Sequence, residues 1–358
     1  MPVSEKHIQD AIHLLRRLIA TPSFSKEEDR SADLIQDFLV KKGVQTQRKG
    51  NNVWARNLHW QANKPVLLLN SHHDTVKPVQ GWQRDPFDPL EADGRLYGLG
   101  SNDAGGSLVS LCAVFLHFYT AGDLDFNLIF AATAEEEISG QNGIAALLPE
   151  LGPIWAGIVG EPTRMQMAVA EKGLIVVDAE AKGIAGHAAR EEGVNAIYAA
   201  LEDIRKLRDF RFEKVSETLG PVKMTVTQIQ AGSQHNVVPD SCRFVIDIRT
   251  TDRYTNQEVF GILEKEVQSR LTARSFRLNS SGIPTDHPIV RSGSALGLTA
   301  FGSPTLSDQA LMPFPTLKIG CGDSARSHTA DEYIDLAEIG EGIRTYIRLL
   351  EEIGRAHV

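Results

Sequence analysis

The chain has few cysteines, no long apolar run and no excess of basic residues. Its three cysteines, Cys112, Cys242 and Cys321, are odd in number and form no CxxC pair, which favours free thiols in a reducing compartment over a disulfide framework. No apolar run is long enough to span a bilayer. The first five residues lead directly into an amphipathic helical pattern without a basic or apolar leader. We therefore expect no signal peptide and a cytoplasmic location.

Charge and length limit the partners and the number of domains. A formal net charge of −9 at pH 7 argues against nucleic acid and anionic membranes as partners. A length of 358 residues exceeds the size at which a single hydrophobic core stops growing, so two domains are expected.

The order of the apolar patterns predicts a split α/β domain with an insertion. Apolar runs at 66–70, 128–133 and 158–160 alternate with helical patterns, which is typical of a mostly parallel sheet with helices on both faces. Strands at 174–181, 222–229, 242–248 and 275–279, with helices at 194–207 and 256–271, predict the βαββαβ order of a ferredoxin-like α+β domain. Strands at 296–300 and 316–319 and a helix at 337–353 resume the first layer. The predicted domains are 1–172 and 284–358 for the larger part and 173–283 for the insertion.

Residues that bind metals follow these predicted strands. The carboxyl ends of parallel strands face one crevice, and five segments bring such residues there: His72, Asp103, Glu135–Glu137, Glu161 and His328. Each alone would be interpreted as a surface group, and the acidic triplet as a solvated helix start. Together, two imidazoles and several carboxylates form a site for two divalent metals, because carboxylates without a cation would repel one another. The joint pattern predicts a two-metal hydrolase.

Short motifs spread over essentially the whole chain carry a family resemblance. They are His72-His73-Asp74, the Gly-x-Gly-x-x-Asp of 98–103, Thr133–Glu137, Gly160-Glu161-Pro162, Gly186-His187, Asn236–Pro239, Asp247-Ile248-Arg249 and Ser327-His328-Thr329. With these motifs the chain resembles the metallo-aminoacylase/exopeptidase family of acetylornithine deacetylase, succinyl-diaminopimelate desuccinylase, aminoacylase and glutamate carboxypeptidase. The resemblance implies a catalytic domain in the larger part and a lid and dimerisation domain in the insertion.

The resemblance also implies a role for each metal ligand. One ion would be held by His72 and Glu161, the other by Glu137 and His328, and Asp103 would bridge them. Mixed imidazole and carboxylate ligands suit zinc and tolerate cobalt or manganese. Asp74 would accept the ring N–H of His72 and fix its tautomer. The peptide bond after the bridging carboxylate, Asp103–Ala104, is expected to be cis.

Other residues resemble the family's catalytic and substrate-binding groups. Glu136 would be the general base, directed away from the metals, that takes a proton from water and passes it to the leaving amine. Arg249 and Asn236 would bind the substrate's α-carboxylate, aided by backbone N–H groups of 320–322, including that of Gly322. A structural salt bridge is the alternative for Arg249. His187 would reach into the partner's active site of a homodimer formed through the lid and stabilise the oxyanion.

Some positions depart from the family pattern without removing a metal ligand or the base. His73 stands where Thr is common, Glu135 where Asp is common, Lys77 precedes Pro78, and 104–106 is shorter than usual. These departures bear on the substrate, not on the reaction. We predict N-acetyl-L-ornithine deacetylation in arginine biosynthesis, with N-acetylcitrulline or an N-succinyl amino acid as alternatives. A metallo-dipeptidase or carboxypeptidase, and an inactive metal-binding or amino-acid-binding protein, remain further alternatives.

Overall fold

A computed structural model describes residues 5–190 and 192–356 of the chain. The chain divides into two compact units: the first comprises Met1–Val169, Gly282–Phe301 and Ser307–Val358, and the second Ala170–Ser281 and Gly302–Leu306. The sequence interpretation proposed an insertion at 173–283 and did not include the second unit's short return segment. That segment belongs there because the carbonyl of Ser303 accepts the N–H of Lys172 at 3.1 Å.

The helices of the described residues have the following bounds. They are α1 (Glu5–Ile19), α2 (Asp29–Lys41), α3 (Gly106–Phe118), α4 (Ile144–Leu151), α5 (Ala196–Asp209), α6 (Asn256–Glu266), α7 (Pro288–Ala295) and α8 (Leu336–Ala356). None of these helices is both long and apolar enough to cross a membrane.

The strands of the same residues vary in length from two to ten residues. They are β1 (Thr46–Lys49), β2 (Asn52–Arg56), β3 (Val66–His72), β4 (Glu91–Ala92), β5 (Arg95–Tyr97), β6 (Asn127–Thr133), β7 (Ala156–Val159), β8 (Met167–Glu171), β9 (Gly173–Lys182), β10 (Gly186–His187), β11 (Lys223–Ala231), β12 (Val237–Val238), β13 (Ser241–Thr250), β14 (Arg270–Ala273), β15 (Ser281–Gly282), β16 (Ala300–Ser303), β17 (Thr316–Lys318) and β18 (Tyr333–Asp335).

The first unit is built on a nine-stranded sheet. Its order is β1-β2-β6-β3-β7-β17-β8-β15, with β16 beside β8. The central strands β6, β3, β7 and β17 are mutually parallel, whereas β1, β2 and β8 pair antiparallel. The predicted central parallel sheet is confirmed.

Helices cover both faces of this sheet. Successive residues of a strand point to opposite faces, so Leu67 and Leu69 of β3 pack with α1, α2, α3 and α8 in one core. Leu68 packs with α4 in a second core on the opposite face. Burial from both sides explains why every residue of β3 and β6 is buried and why most of each strand is a continuous apolar run in the sequence.

The second unit contains a four-stranded antiparallel sheet, ordered β11-β13-β9-β14. The elements follow one another as β9, α5, β11, β13, α6 and β14, which is the predicted ferredoxin-like order. Inward residues of β9 and β13 alternate with outward ones, and α5 and α6 pack on the inward face.

Three boundaries of the sequence prediction are wrong. The helix expected to reach residue 271 ends at Glu266, and the strand expected at 275–279 is β14 at Arg270–Ala273. The buried carboxylate of Asp203 accepts the N–H groups of Gln268 and Ser269, which diverts the chain from the helix. Residues 296–299, expected in a strand, lie between α7 and β16.

Candidate metal centre

The carboxyl ends of the parallel strands lie side by side. His72, the last residue of β3, pairs with Thr133, the last residue of β6. On the other side of β3, Asn70 pairs with Val159, the last residue of β7, and Val159 also pairs with Lys318 of β17. The segments that leave these four strands therefore begin close together at one edge of the sheet.

The structure brings the five predicted metal ligands together at this edge. Nε2 of His72 lies 3.4 Å from Oδ1 of Asp103 and 3.7 Å from Oε1 of Glu161. Nε2 of His328 lies 3.6 Å from Oδ2 of Asp103 and 3.1 Å from Oε2 of Glu137. Asp103 thus turns one carboxylate oxygen toward each histidine, which is the arrangement that a bridging ligand requires.

Asp103 is carried by a kinked turn, Ser101–Gly105. The turn follows Gly100, whose φ of 75° lies in the left-handed region that glycine adopts without strain. A Cβ at Gly100 would stand 2.6 Å from Cγ2 of Thr75, so a larger residue does not fit. The Asp103–Ala104 peptide bond is cis, as the family resemblance predicts.

Asp74 is buried and hydrogen-bonds to the turn after β6. Its Oδ1 accepts the N–H of Glu136 at 3.0 Å, and its Oδ2 accepts the N–H of Glu137 at 3.2 Å and the hydroxyl of Ser25 at 2.7 Å. Nδ1 of His72 donates to the main-chain carbonyl of Asp74 at 3.0 Å, with the Asp74 carboxylate 3.4 Å away. The sequence interpretation named the carboxylate as the acceptor; the hydrogen bond goes to the carbonyl instead.

Glu136 lies within the ligand cluster, not directed away from it as the sequence interpretation had it. Its Oε2 is 3.8 Å from Nε2 of His72, about the same separation as for Glu161. The acidic triplet is not a solvated helix start, because Glu135 is only 6% exposed and accepts the side-chain and main-chain N–H groups of Asn142. These hydrogen bonds shape the turn that presents Glu136 and Glu137.

Burial and crowding of negative charge shift the pKa values in the cluster. Burial raises the pKa of Glu161 to about 8. Burial also raises the pKa of Glu136, and the neighbouring Glu161 charge adds to the effect. Burial opposes the charged form of His72, but the carboxylates of Glu136 and Asp103 outweigh it and raise the pKa of that imidazole. The hydrogen bond to Glu137 raises the pKa of His328 to about 9.

The donor set fits divalent metal ions. Because a carbonyl only accepts, the neutral His72 ring carries its proton on Nδ1 and presents the lone pair of Nε2 to the carboxylates. Among the described residues, Nε2 of His72 and Oε1 of Glu161 are buried without a hydrogen-bond partner. Two groups of three potential ligand atoms meet here, one of His72, Asp103 and Glu137 and one of His72, Glu136 and Glu161. Two divalent ions would balance the four carboxylates.

Sequence reasoning missed Glu332 and Asn102, which hold the Asp103 turn in place. Glu332 is 2% exposed, and its carboxylate accepts the main-chain N–H groups of Gly100, Asn102 and Asp103. Burial raises the pKa of Glu332 to about 8. No local signal identifies these residues, because Glu332 lies in a polar loop and its burial depends on contacts with a segment some 230 residues earlier.

Three other predicted site residues, His187, Asn236 and Arg249, belong to the second unit. His187 is exposed in β10, and its Nδ1 accepts the N–H of Ala189 at 3.1 Å. Asn236 is exposed just before β12. Arg249, in β13, donates from Nε and Nη2 to the carboxylate of Asp247 at 2.8 and 3.0 Å. This is the salt bridge that the sequence analysis kept as the alternative interpretation of Arg249.

The loop after β17 makes a hydrogen bond and a close contact with other residues of the first unit. The N–H of Gly320 donates to Oγ1 of Thr163 at 3.0 Å. Gly322 has a φ of 84°, and a Cβ there would lie 2.3 Å from Oδ1 of Asn102. Cys321 is buried, and burial raises the pKa of its thiol to about 12, so it is not a nucleophile at neutral pH.

The chain is similar to known proteins over most of its length. The profile of Peptidase family M20/M25/M40 matches residues 68–352. A protein named acetylornithine deacetylase from Photorhabdus laumondii is 30% identical over 376 residues, covering 95% of this chain and 96% of its own length. A succinyl-diaminopimelate desuccinylase 2 from Ruegeria sp. is 24% identical over 386 residues, covering 97% and 96%.

Solved structures share the fold at low sequence identity. Aminopeptidase PepT from Bacillus cereus superposes with a TM-score of 0.77 at 18% identity, covering 97% of this chain and 98% of that one. The YXEP protein of Bacillus subtilis, described as a dinuclear metal binding peptidase, gives a TM-score of 0.74 at 17% identity over 98% and 99% of the two chains.

Proposed function

The chain belongs to peptidase family M20/M25/M40 and is a metal-dependent hydrolase, and from that premise we propose that it removes the acyl group of an N-acyl-L-amino acid. N-Acetyl-L-ornithine is the substrate that we put first, which would give the enzyme a role in arginine biosynthesis. Relatives named acetylornithine deacetylase are 30% identical over nearly the whole chain. The observation that carries the proposal is Asp103, with one oxygen toward each histidine and Glu136 beside them.

Two divalent ions are proposed at this site. His72 and Glu161 would hold one, Glu137 and His328 the other, and Asp103 both. Zinc suits these ligands best, and cobalt or manganese would be tolerated. When bound, the ions would lower the pKa of water toward neutrality and polarise the amide carbonyl.

Glu136 is proposed as the general base and then the general acid. Its environment raises its pKa above that of an ordinary glutamate, which suits a group that must accept a proton and release it again. The carboxylate would take a proton from the attacking water and deliver it to the departing amine. The backbone hydrogen bond from Glu136 to Asp74 fixes the turn while leaving the Glu136 carboxylate available.

Arg249, Asn236 and Gly322 are proposed to bind the substrate's α-carboxylate. A guanidinium binds a carboxylate in bidentate fashion, so Arg249 would exchange its Asp247 contact for the substrate. His187 would stabilise the oxyanion from the partner subunit of a homodimer formed through the lid.

A desuccinylase is the second candidate. Proteins named succinyl-diaminopimelate desuccinylase match this chain over as much of its length as the deacetylases do. Both reactions need the same ions and the same base, and they differ only in the acyl pocket.

A substrate panel tests the proposal. The protein, stripped by chelator and then reloaded with zinc or cobalt, is offered N-acetylornithine, N-acetylcitrulline, N-succinylornithine, succinyl-diaminopimelate and simple dipeptides, and amine release is measured. Metal-dependent release from N-acetylornithine above the others supports the first candidate, and release from the succinylated compounds supports the second. Preferential cleavage of the dipeptides would show that the protein is a peptidase and not a deacylase. No release from any compound by metal-loaded protein would point to a binding protein.

A further inference from the structure

The loop that carries His328 also holds the turn that carries Asp103. Oε1 of Glu332 accepts the N–H groups of Asn102 and Asp103, both at 2.9 Å, and Oε2 accepts the N–H of Gly100 at 3.2 Å. The main-chain carbonyl of Glu332 accepts a fourth N–H, that of Gly98, at 3.0 Å. A single residue therefore receives four N–H groups from one six-residue stretch of chain.

The side chain of Asn102, in the Asp103 turn, hydrogen-bonds to the segment that precedes His328. Its Oδ1 accepts the N–H of Asp323 at 2.9 Å, and its Nδ2 donates to the carbonyl of Asp323 at 3.1 Å and to Oγ of Ser327 at 3.3 Å. Asn102 is completely buried. Gly322 leaves room for this contact, since a Cβ there would lie 2.3 Å from Oδ1 of Asn102.

These hydrogen bonds join the chain on both sides of His328 to Asp103 and to the residues just before it. Glu332 accepts the N–H groups of both Asn102 and Asp103 and so holds the backbone that carries the Asp103 carboxylate. His328 has a φ of 57°, an uncommon backbone conformation for a residue other than glycine, which persists only where the surrounding structure determines it.

We propose that Glu332 and Asn102 are positioning residues that set the distance between Asp103 and His328 and thereby the affinity for the divalent ion those two residues share. The inference rests on the proposed two-metal site. Residues that orient metal ligands commonly change metal affinity by about 10–100-fold when they are replaced, and a site loosened by about 1 Å loses much of its function.

Glu332→Gln is the first test, because it keeps the size of the side chain. An amide has one acceptor oxygen where the carboxylate has two, so its NH2 group would face an N–H of the turn. Asn102→Ala is the second variant, which removes the three Asn102 hydrogen bonds without introducing a charge. Asp203→Asn is the matched control. Asp203 is also a buried carboxylate, 2% exposed, that accepts main-chain N–H groups, but its partners lie in the second unit.

Three quantities are measured. Elemental analysis gives the number of ions bound per chain, and chelator competition gives the Kd of the ion that Asp103 shares with His328. The visible absorption of the cobalt-loaded protein reports the geometry of its ligands. In Glu332→Gln and in Asn102→Ala we expect the ion that Asp103 shares with His328 to bind about 10–100-fold more weakly, with a changed cobalt spectrum. The ion held by His72 and Glu161 should be affected less, since only its contact with Asp103 is disturbed. Asp203→Asn should lose stability but keep both ions and the wild-type spectrum.

The outcomes separate this inference from the proposed function. If the wild-type protein binds fewer than two ions, the two-metal site is wrong and the inference falls with it. If the wild-type protein binds two ions and the folded variants bind both with unchanged affinity and spectrum, only the positioning role is overturned. Should Glu332→Gln fail to fold, Asn102→Ala decides the question by the same measurements.

Discussion

Asp74 accepts the N–H of Glu136 at 3.0 Å. The same residue receives the ring N–H of His72 on its carbonyl at 3.0 Å, so one residue orients both a proposed metal ligand and the proposed base. Burial opposes the charged form of the Asp74 carboxylate, but the neighbouring His72 imidazole and the hydroxyl of Ser25 outweigh it and lower the pKa of that carboxyl group. It therefore stays ionised, as an acceptor of several N–H groups must.

Replacing Asp74 by Asn should lower activity without removing a ligand or the base. The amide keeps one acceptor oxygen, so an NH2 group would face the N–H of Glu136 or of Glu137. We expect a loss of about 10–100-fold in kcat or in metal affinity. Steady-state kinetics and elemental analysis measure the two effects separately. Wild-type kcat together with wild-type metal content would contradict the orienting role.

Glu136→Gln should retain the ions and lose turnover. The substitution removes the group that carries the proton and leaves the five proposed ligands in place, so kcat should fall by roughly 10²–10⁴-fold. Elemental analysis of the same sample is the control, because Glu136 Oε2 lies as near to His72 as Glu161 does. Loss of an ion from this variant would make Glu136 a ligand, and full turnover would remove it from the mechanism.

Asp103→Ala should reduce metal content and thermal stability more than His72→Ala or His328→Ala. Ligands that bind only the native state stabilise it by mass action, so each loss of an ion should lower Tm, as should chelator treatment of the wild-type protein. Removing Asp103 affects both ions at once. His59→Ala, an exposed imidazole of the first unit, is the control and should keep both ions. Full metal occupancy in Asp103→Ala would disprove the bridge.

The architecture of the chain could be predicted because the apolar patterns that indicate helices and strands involve residues close together in the sequence. Strand β3 begins with a continuous apolar run since both its faces are buried, and β9 alternates since only one face is. The end of α6 could not be predicted in the same way. It depends on Asp203, a residue more than sixty positions earlier, which accepts the N–H groups of Gln268 and Ser269.

The candidate site likewise contains residues that local sequence patterns identify and residues whose role depends on distant contacts. His72 and Glu161 could be found because they stand at the end of β3 and just after the end of β7, and these two strand ends share one edge of the sheet. His328 could be found because it stands in a recognisable motif. Glu332 could not, since its importance comes from N–H groups brought to it by the fold. The acceptor for Nδ1 of His72 was misassigned for a related reason: the direction of the Asp74 carboxylate is set by Glu136 and Glu137, not by its distance from His72 in the sequence.

His187 is predicted to act across a dimer. Its Nδ1 accepts the N–H of Ala189, so the neutral ring carries its proton on Nε2 and offers a donor, as stabilisation of an oxyanion requires. His187→Ala should therefore lower kcat by roughly 10²–10³-fold. A Glu136→Ala homodimer should be inactive for a different reason, because it lacks the base.

Mixing these two inactive homodimers under subunit exchange should restore activity. In each heterodimer, one site has an intact Glu136 and faces a partner with an intact His187. With random exchange half of the dimers are of this kind and half of their sites work, giving about a quarter of wild-type activity. As a control, mixing His187→Ala with a Glu136→Ala/His187→Ala double variant should restore nothing, since no site then meets an intact His187. A fully active monomer, or no recovery after exchange has been demonstrated, would rule out action across the dimer.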